Sequence, residues 1–399
     1  MPRSNKFHHQ QYPTTLSTPP EFVQVEIGDG AEAAHDELHT QHRIRNLVLV
    51  HGTFMGSDGF AVADILESIG NEMGVLKGPL TGAAEKLRAH VKPLTDKVAA
   101  DIGNFTPEFC GQLQKLVGTD PHIERLSPTW SSQNHHYARA DLAARLFHRL
   151  TQLQPQPDAR TLLWGHSHAG NGFALLTNLL GSDRETRRQF LAACGHTPKT
   201  DKQPEHWITV VESLWDLEGP VTWASAVDIV GFGTPVRYGW ETQGCGQLIH
   251  VLHHRNFEAD TPHLTKPLFP PHLPHDVIHA KWGDWVQALG IAGTDVPPPT
   301  LLKRDRAVAG IVEQGLVKPG GLKIVPEKIR ATCARWATGT RCHADGRNLL
   351  LTYQASGERS RLGVPLEESM FGHGVATSEP WLPTHLALVN RALRGRLGD

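Results

Sequence analysis

The sequence has little net charge and no long apolar run. Its 39 lysines and arginines and 41 aspartates and glutamates nearly cancel, leaving a formal net charge of -2. Such a balance provides no general attraction to nucleic acid or to an anionic membrane surface. No uninterrupted apolar stretch approaches the ~18 residues of a transmembrane helix. We therefore expect a soluble protein that has no integral membrane segment and does not bind nucleic acid.

Cysteine is also scarce, and the N-terminus has no apolar core of the kind found in a secretory signal. The five cysteines are odd in number and include no CxxC pair, so we expect reduced thiols in a cytoplasmic protein rather than a disulfide framework. They are Cys110, Cys194, Cys245, Cys333 and Cys342. Residues 1–20 are polar and rich in proline and threonine, which predicts a disordered tail before one domain over 21–399.

Apolar runs of strand length alternate with helical patterns along most of the chain. The runs typical of strands are "NLVLV" (46–50), "HIERLSPTW" (122–130), "VDIVGFGTPV" (227–236), "QLIHVLHH" (247–254) and "NLLLTYQ" (348–354). Between them, "ARADLAARLFHRLTQL" (138–153) is amphipathic, with leucines on one side. This alternation predicts an α/β protein with a mostly parallel central sheet flanked by helices.

Two segments interrupt the alternation. From about 62 to 117 the apolar positions recur at helical spacing, with breaks at Gly78, Pro79 and Pro93, which predicts a helical insertion that could form a cap or lid. Residues 260–299 are crowded with proline, histidine and tryptophan. We expect this second segment to be an excursion at the edge of the sheet, too irregular to form sheet itself.

One serine stands at the point where an apolar run meets a small-residue cluster, in "TLLWGHSHAGNGFALL" (161–176). Small residues around Ser167 allow a sharp strand-to-helix turn that exposes the hydroxyl. The helix behind the turn directs backbone N–H groups at the same point, and the N–H of His168 would be one donor of an oxyanion hole. We therefore predict that Ser167 is a nucleophile.

A serine nucleophile also needs a base and a second oxyanion donor. In "NLVLVHGTF", Gly52 allows a close approach of the main chain, and the N–H of Thr53, or of Phe54, would be the second donor. His51 is expected to support this loop and not to act as the base. In "SMFGHGVATSEPW", His373 lies between two glycines after the last predicted strand. We predict that His373 is the base.

These motifs, in this order, resemble the α/β-hydrolase superfamily, in particular lipase-like and esterase-like serine hydrolases. The resemblance rests on the HG turn, the serine turn, "FGTP" and the late histidine, and it spans roughly 45–395. "PTWSSQNHHYARADLAARL" is also similar to segments that flank the active site in such enzymes. The turn departs from G-x-S-x-G because Ala169 occupies the last position, and alanine is still small.

The resemblance implies a triad acid in the loop after "QLIHVLHH". Asp260 is the first choice, with Glu258, Asp276 and Asp284 as alternatives. It further implies a carboxylic-ester hydrolase that forms an acyl-enzyme, acts on a small-molecule or lipid ester and uses no cofactor. Two alternatives stay open: an acyltransferase or thioesterase with the same triad, and a non-catalytic binding protein on this fold.

The histidine-rich excursion permits a metal site as a further alternative, although its spacing matches no firm ligand pattern. The candidate ligands would be His253, His254, His263, His272, His275 and His279, with Asp260 and Asp276. Since loop histidines are usually only polar surface groups, we predict no metal in the catalytic site.

Overall fold

The structure of the chain is a computed structural model. The structure describes residues 22–26, 37–52, 105–126, 130–131, 133–255, 257–258, 261–265, 274–289, 295, 297–313, 344–353, 357, 359 and 363–395. The predicted tail over 1–20 and most of the predicted helical insertion, including residues 62–104, lie outside this part of the chain.

A seven-stranded sheet organises the molecule, and every neighbouring pair of its strands is parallel. In spatial order its strands are β1 (Phe22–Glu26), β9 (Arg347–Thr352), β6 (Leu248–His253), β5 (Val227–Phe232), β4 (Arg160–His166), β2 (Ile44–Val50) and β3 (His122–Arg125). The remaining strands, β7 (Phe257–Glu258) and β8 (Thr261–Thr265), form a separate antiparallel pair. The predicted α/β class with a parallel central sheet is thus confirmed.

Helices cover the sheet and connect its strands. In the described part of the chain, the α-helices are α1 (Glu37–Thr40), α2 (Pro107–Val117), α3 (His136–Leu153), α4 (Ala169–Gly181), α5 (Arg184–Ala193), α6 (Glu205–Leu214), α7 (Pro274–Ile278), α8 (Trp285–Leu289), α9 (Leu302–Val312) and α10 (Leu382–Leu393). Short 3-10 helices lie at Ala224–Ala226, Thr242–Gly244, Leu366–Glu368, Gly374–Thr377 and Glu379–Trp381. No helix in the described residues is long and apolar enough to cross a membrane.

The core divides into two apolar clusters, one on each face of the sheet. Alternate residues of β2 belong to different clusters. Val48 and Val50 lie in the cluster that includes α3 and α4, whereas Leu47 and Leu49 lie in the cluster that includes α2 and α10. Because successive side chains of a strand point to opposite faces, a strand that is apolar throughout needs cover on both sides. This requirement explains the continuous run "NLVLV".

The strand order changes direction between β2 and β4. Going along the chain, β2 is followed by β3 on one side, while β4, β5 and β6 are added on the other side. Ligands of open parallel sheets bind at such a point, beside the carboxyl ends of the strands. Gly52 and Ser167 follow the carboxyl ends of β2 and β4, so the fold brings the two predicted motifs to the same place.

One expectation about an irregular segment needs correction. The segment predicted over 260–299 does contain a strand, since β8 lies within it and pairs with β7 as a short antiparallel ribbon. Farther along the predicted excursion, α7 and α8 are short helices. The sequence does not predict these elements because each has only two to five residues, which is too few to establish a period. Proline-rich segments also flank them.

Candidate active site

Ser167 occupies a strained turn between β4 and α4. Its φ of 58° lies in the left-handed region, which is uncommon for a residue with a side chain. The N–H of Ser167 donates to Phe232 O at 2.8 Å, which fixes the turn against the end of β5. The side chain is buried, and its Oγ makes no hydrogen bond within the described residues. Strain of this kind is typical of functional turns.

The end of β2 lies directly against this serine. A Cβ added at Gly52 would lie 2.5 Å from Ser167 Cβ and 3.2 Å from its Oγ, so only glycine fits there. His51 supports the same strand end: its Nδ1 lies 2.8 Å from Gly52 O, and its own carbonyl accepts the indole N–H of Trp130 at 3.0 Å. Burial lowers the pKa of His51. These contacts agree with the supporting role predicted for this histidine.

His373 is paired with the carboxylate of Asp284. The distance from His373 Nδ1 to Asp284 Oδ2 is 2.6 Å, and both side chains are almost fully buried. The other oxygen of Asp284, Oδ1, accepts the N–H of Gln287 at 2.8 Å. Asp284 therefore caps the first turn of α8 with one oxygen and contacts the imidazole with the other, which fixes the carboxylate plane.

The loop that carries His373 is held in an unusual conformation. Met370, Phe371 and Gly372 precede the histidine with φ values of 48°, 61° and 79°. The N–H of Trp285 donates to Phe371 O at 3.0 Å, so this loop is bonded to the residue that follows Asp284. Gly372 also contacts the turn before α8, because an added Cβ would lie 2.6 Å from Gly283 O. The acidic and basic partners are thus positioned by a shared set of backbone contacts.

The His373–Asp284 pair packs beside the serine turn. Gly233 lies between the two. It follows Phe232, whose carbonyl accepts the Ser167 N–H. A Cβ added at Gly233 would lie 2.6 Å from Asp284 Oδ2 and 3.0 Å from His373 Nδ1. On the other side, the ring of His166 lies 4.5 Å from the ring of His373, and His166 Nε2 is 3.1 Å from His373 O. Residues on both sides of the serine turn therefore contact the histidine.

His168 follows the serine at the beginning of α4. Its ring Nδ1 is 3.2 Å from the amide nitrogen of Asn171, and that amide also donates to Pro235 O at 2.9 Å. Burial lowers the pKa of His168 well below its usual value, with further lowering by the nearby charge of Arg139. Its imidazole is accordingly neutral at neutral pH. Among the described residues, no acceptor takes the backbone N–H of His168.

No protein-family model, curated protein or solved structure matches this chain.

The structure brings together some of the predicted residues and leaves others outside its described part. Ser167, His168 and His373 meet at one edge of the sheet, whereas Thr53 and Asp260 lie outside the described residues. The side chain of Glu258 is outside them as well. Asp276 is buried, and its Oδ1 lies 3.2 Å from Nζ of the half-exposed Lys281, not from His373. The carboxylate that contacts His373 is Asp284, which the sequence offered as the last alternative.

A local pattern in the sequence distinguishes Asp284 from the other candidate acids. It follows Gly283 and immediately precedes the short apolar helix α8, a position where an aspartate commonly caps a helix. Gly233 and His166 were also missed as neighbours of the base. Their proximity to His373 depends on chain segments more than a hundred residues apart, and no local pattern encodes it.

The histidines of the predicted excursion do not form a metal cluster in the described residues. His253 Nδ1 faces Gly372 O at 2.9 Å, and the rings of His275 and His279 lie 4.4 Å apart, with His279 Nδ1 2.9 Å from Glu368. His272 and Asp260 are outside the described residues. These contacts give His253, His275 and His279 structural partners, and the side chain of His263 lies outside the described residues.

Proposed function

We propose that the protein is a serine hydrolase that cleaves carboxylic esters through an acyl-enzyme on Ser167. The observation that carries the proposal is the 2.6 Å contact between Asp284 and His373 beside a strained serine turn. A buried carboxylate on Nδ1 keeps the proton on that nitrogen, so that Nε2 presents its lone pair as a base. Asp284 takes the role first given to Asp260.

The α/β-hydrolase fold supplies a further argument. In that fold the nucleophile lies on a strand-to-helix turn, and the triad residues follow in the chain order serine, acid, histidine. Ser167, Asp284 and His373 occur in this order, and the carboxyl ends of parallel strands and their following loops carry them. We propose membership of this fold family on these grounds.

The proposed reaction proceeds in two half-reactions. His373 Nε2 accepts the Ser167 hydroxyl proton while Oγ attacks the ester carbonyl, and the resulting oxyanion accepts the N–H of His168. The second donor is assigned to Thr53. Collapse of the tetrahedral intermediate transfers the proton from His373 to the departing alcohol. Water then attacks the acyl-enzyme and gives its proton to His373, which passes it to Ser167 Oγ as the acid is released.

Burial of the three side chains suits this chemistry. Ser167, Asp284 and His373 are each no more than 2% exposed. In such a site the Asp284 charge acts through a low dielectric, so it stabilises the imidazolium of the transition state more strongly than it would in water. The hydrogen bond from Ser167 to His373 is expected to form when substrate binds, since catalytic contacts are often longer in the free enzyme.

The test is turnover of p-nitrophenyl esters of increasing acyl length, with a p-nitrophenyl thioester included, by the wild type and by Ser167→Ala. Ser182→Ala, at the end of α4, is the matched control because it removes a buried hydroxyl outside the site. We expect the Ser167 variant to retain at most about one part in 10³ of the activity. A fluorophosphonate should label Ser167 and no other serine, as determined by mass spectrometry.

Either of two results would contradict the proposal. One is equal turnover by wild type and Ser167→Ala; the other is no turnover and no fluorophosphonate adduct across the panel. The second result would favour a non-catalytic binding protein.

A further inference from the structure

A second cluster of ionisable side chains lies where the beginning of α3 meets α9. It consists of His136, Asp295 and Asp305, each of which offers one ligand atom, and these atoms all lie within 4.8 Å of one another. His136 Nε2 is 3.5 Å from Asp295 Oδ2. Ligand atoms on a tetrahedral zinc ion, with bonds of about 2.0–2.2 Å, are roughly 3.4 Å apart. The spacing of the cluster is therefore suited to one shared ion.

Each side chain of the cluster is oriented by a second contact. His136 Nδ1 is 2.8 Å from the Tyr238 hydroxyl, and Asp295 Oδ1 accepts the backbone N–H of His136 at 3.1 Å. Asp305 Oδ1 accepts the Tyr137 N–H at 2.7 Å and faces His135 Nδ1 at 2.9 Å. In protein metal sites, the polar atom of a ligand side chain that does not bind the metal is usually hydrogen-bonded to a neighbouring group. This arrangement leaves one oxygen of each aspartate for an ion, whereas His136 Nε2, which now lies 3.3 Å from Arg237 Nη2, must be released by that arginine before it can bind.

Asp305 provides the decisive observation. Its side chain is 1% exposed, yet no N–H or hydroxyl group of the described residues donates to its Oδ2, and the side chain that interacts with it instead is another carboxyl group, that of Asp295. A buried carboxylate oxygen without a donor is costly, and it is rare in native proteins. A cation bound between Asp305 and Asp295 would satisfy this oxygen.

The charges nearby favour the same interpretation. Glu313 already has a cationic partner, because Arg237 Nε donates to its Oε1 at 3.1 Å. Among the ion pairs of the described residues, neither Asp295 nor Asp305 is paired with a lysine or an arginine. Two carboxylates this close repel each other unless a cation or a shared proton lies between them. Arg237 Nη2, now 3.3 Å from His136 Nε2, would turn towards Glu313 when the ion binds.

We propose that His136, Asp295 and Asp305 bind a divalent transition-metal ion, with zinc as the ion that best suits one imidazole and two carboxylates. Calcium and magnesium favour sites made wholly of oxygen, whereas imidazole favours zinc and its neighbours. Water or Glu313, whose Oε2 is 3.9 Å from His136 Nε2, would complete the coordination. The ion holds α9 and the chain at Asp295 against the first turn of α3. This site is independent of the ester-hydrolase proposal.

The test is zinc binding by the full chain after dialysis against EDTA. Zinc is added alone, excess metal is removed, and bound metal is measured by mass spectrometry together with the thermal unfolding temperature. We expect one zinc ion per chain and a rise in unfolding temperature on zinc addition. Cobalt should bind in its place and give the visible absorption of a four- or five-coordinate nitrogen and oxygen site.

Variants locate the ion. Asp305→Asn and His136→Gln keep the side-chain shapes, and either should weaken zinc binding by more than the roughly 10–100-fold that loss of a supporting residue costs. Tyr238→Phe removes one such support and should fall within that range. His279→Gln is the matched control, since it removes a histidine from the other imidazole-rich region. Circular dichroism confirms that each variant is folded.

The proposal fails if the dialysed chain takes up no zinc and shows no change in unfolding temperature, which would leave a shared proton between the aspartates. It also fails if Asp305→Asn retains the metal while His279→Gln loses it.

Discussion

The Asp284 carboxylate makes two contacts that no other described acid in the excursion combines: one oxygen on His373 and one on the first turn of α8. Substitution by asparagine keeps the shape but offers His373 an amide, which permits the wrong tautomer. We expect Asp284→Asn to lower kcat of ester hydrolysis by about 10⁴-fold with little change in KM.

Asp260→Asn is the matched control, because the two aspartates are the competing candidates for the acid. It should retain wild-type kcat. A large loss in Asp260→Asn, with normal turnover by Asp284→Asn, would assign the role to Asp260 and overturn the assignment made from the hydrogen bond.

At position 52, the size of the side chain alone should control the rate of ester hydrolysis. The Cβ of Gly52→Ala would lie 2.5 Å from Ser167 Cβ, so the serine turn or the end of β2 must move. Displacement of a nucleophile by about 1 Å can cost on the order of 100-fold in rate, and we expect a loss of at least that size in kcat/KM.

Gly111→Ala serves as the control for Gly52→Ala. Gly111 lies within α2, where an added Cβ has no atom within 4 Å. It should leave kcat/KM unchanged and raise the free energy of unfolding by about 0.5–1 kcal/mol, because alanine is the better helix former. Equal activity in the two variants would show that the approach of β2 to the serine is not tight.

At the scale of elements, the amino ends of β4 and β5 are joined by an ion pair far from the catalytic edge. Arg160 Nε and Nη2 donate to the two oxygens of Asp228 at 2.8 and 2.5 Å, and the Asp228 side chain is 2% exposed. Arg160→Met would leave a buried carboxylate unpaired. We expect the free energy of unfolding to fall by about 3–5 kcal/mol, measured by urea titration.

The rate of fluorophosphonate labelling at Ser167, measured on folded protein, should not change in Arg160→Met, because the pair lies at the opposite end of β4. Arg184→Met is the comparison: Arg184 pairs with Glu218 at 2.6 Å, but the two side chains are 43% and 71% exposed. Its loss should cost less than about 1 kcal/mol. Similar losses in the two variants would contradict the role given to burial.

Elements also differ in how well the sequence predicts them. The longer elements α3 and β2 were predicted because their apolar periods extend over many residues. The pair β7–β8 and the helix α8 were not, since each is too short to show a period and forms through contacts with other segments. The candidate site follows the same division: Ser167 and His373 lie in recognisable local motifs, while Asp284 was one carboxylate among four.

For the whole molecule, several histidines are buried in a neutral state, and this sets a pH dependence of stability. Burial lowers the pKa of His385 to about 3 and that of His250 to about 4. In the unfolded chain a histidine titrates near 6.5. Below that pH the unfolded chain binds a proton that the native protein does not, so the free energy of unfolding must decrease as the pH falls from 6.5 towards 3.

We expect His385 to account for about 2 kcal/mol of the free energy of unfolding that is lost between pH 7 and pH 5. The pKa in the unfolded chain lies about 1.5 units above pH 5, and each unit corresponds to about 1.36 kcal/mol. Urea titrations at the two pH values measure this difference for the wild type and for His385→Gln, in which the loss should be smaller by that amount. His122→Gln, at a histidine whose side chain is 67% exposed, is the control and should leave the difference unchanged. An undiminished loss in His385→Gln would contradict the inference.

The sequence by itself determined the α/β class, the buried strands and the serine turn, because these depend on residues that are neighbours along the chain. Apolar runs require cover on both faces of a parallel sheet, and small residues permit the turn at Ser167. Only the tertiary structure decided which acid contacts His373 and which imidazole and carboxylates cluster with Asp305. Those choices depend on distances of a few ångströms between segments far apart in sequence, and such distances are set by how the helices and loops pack on the sheet.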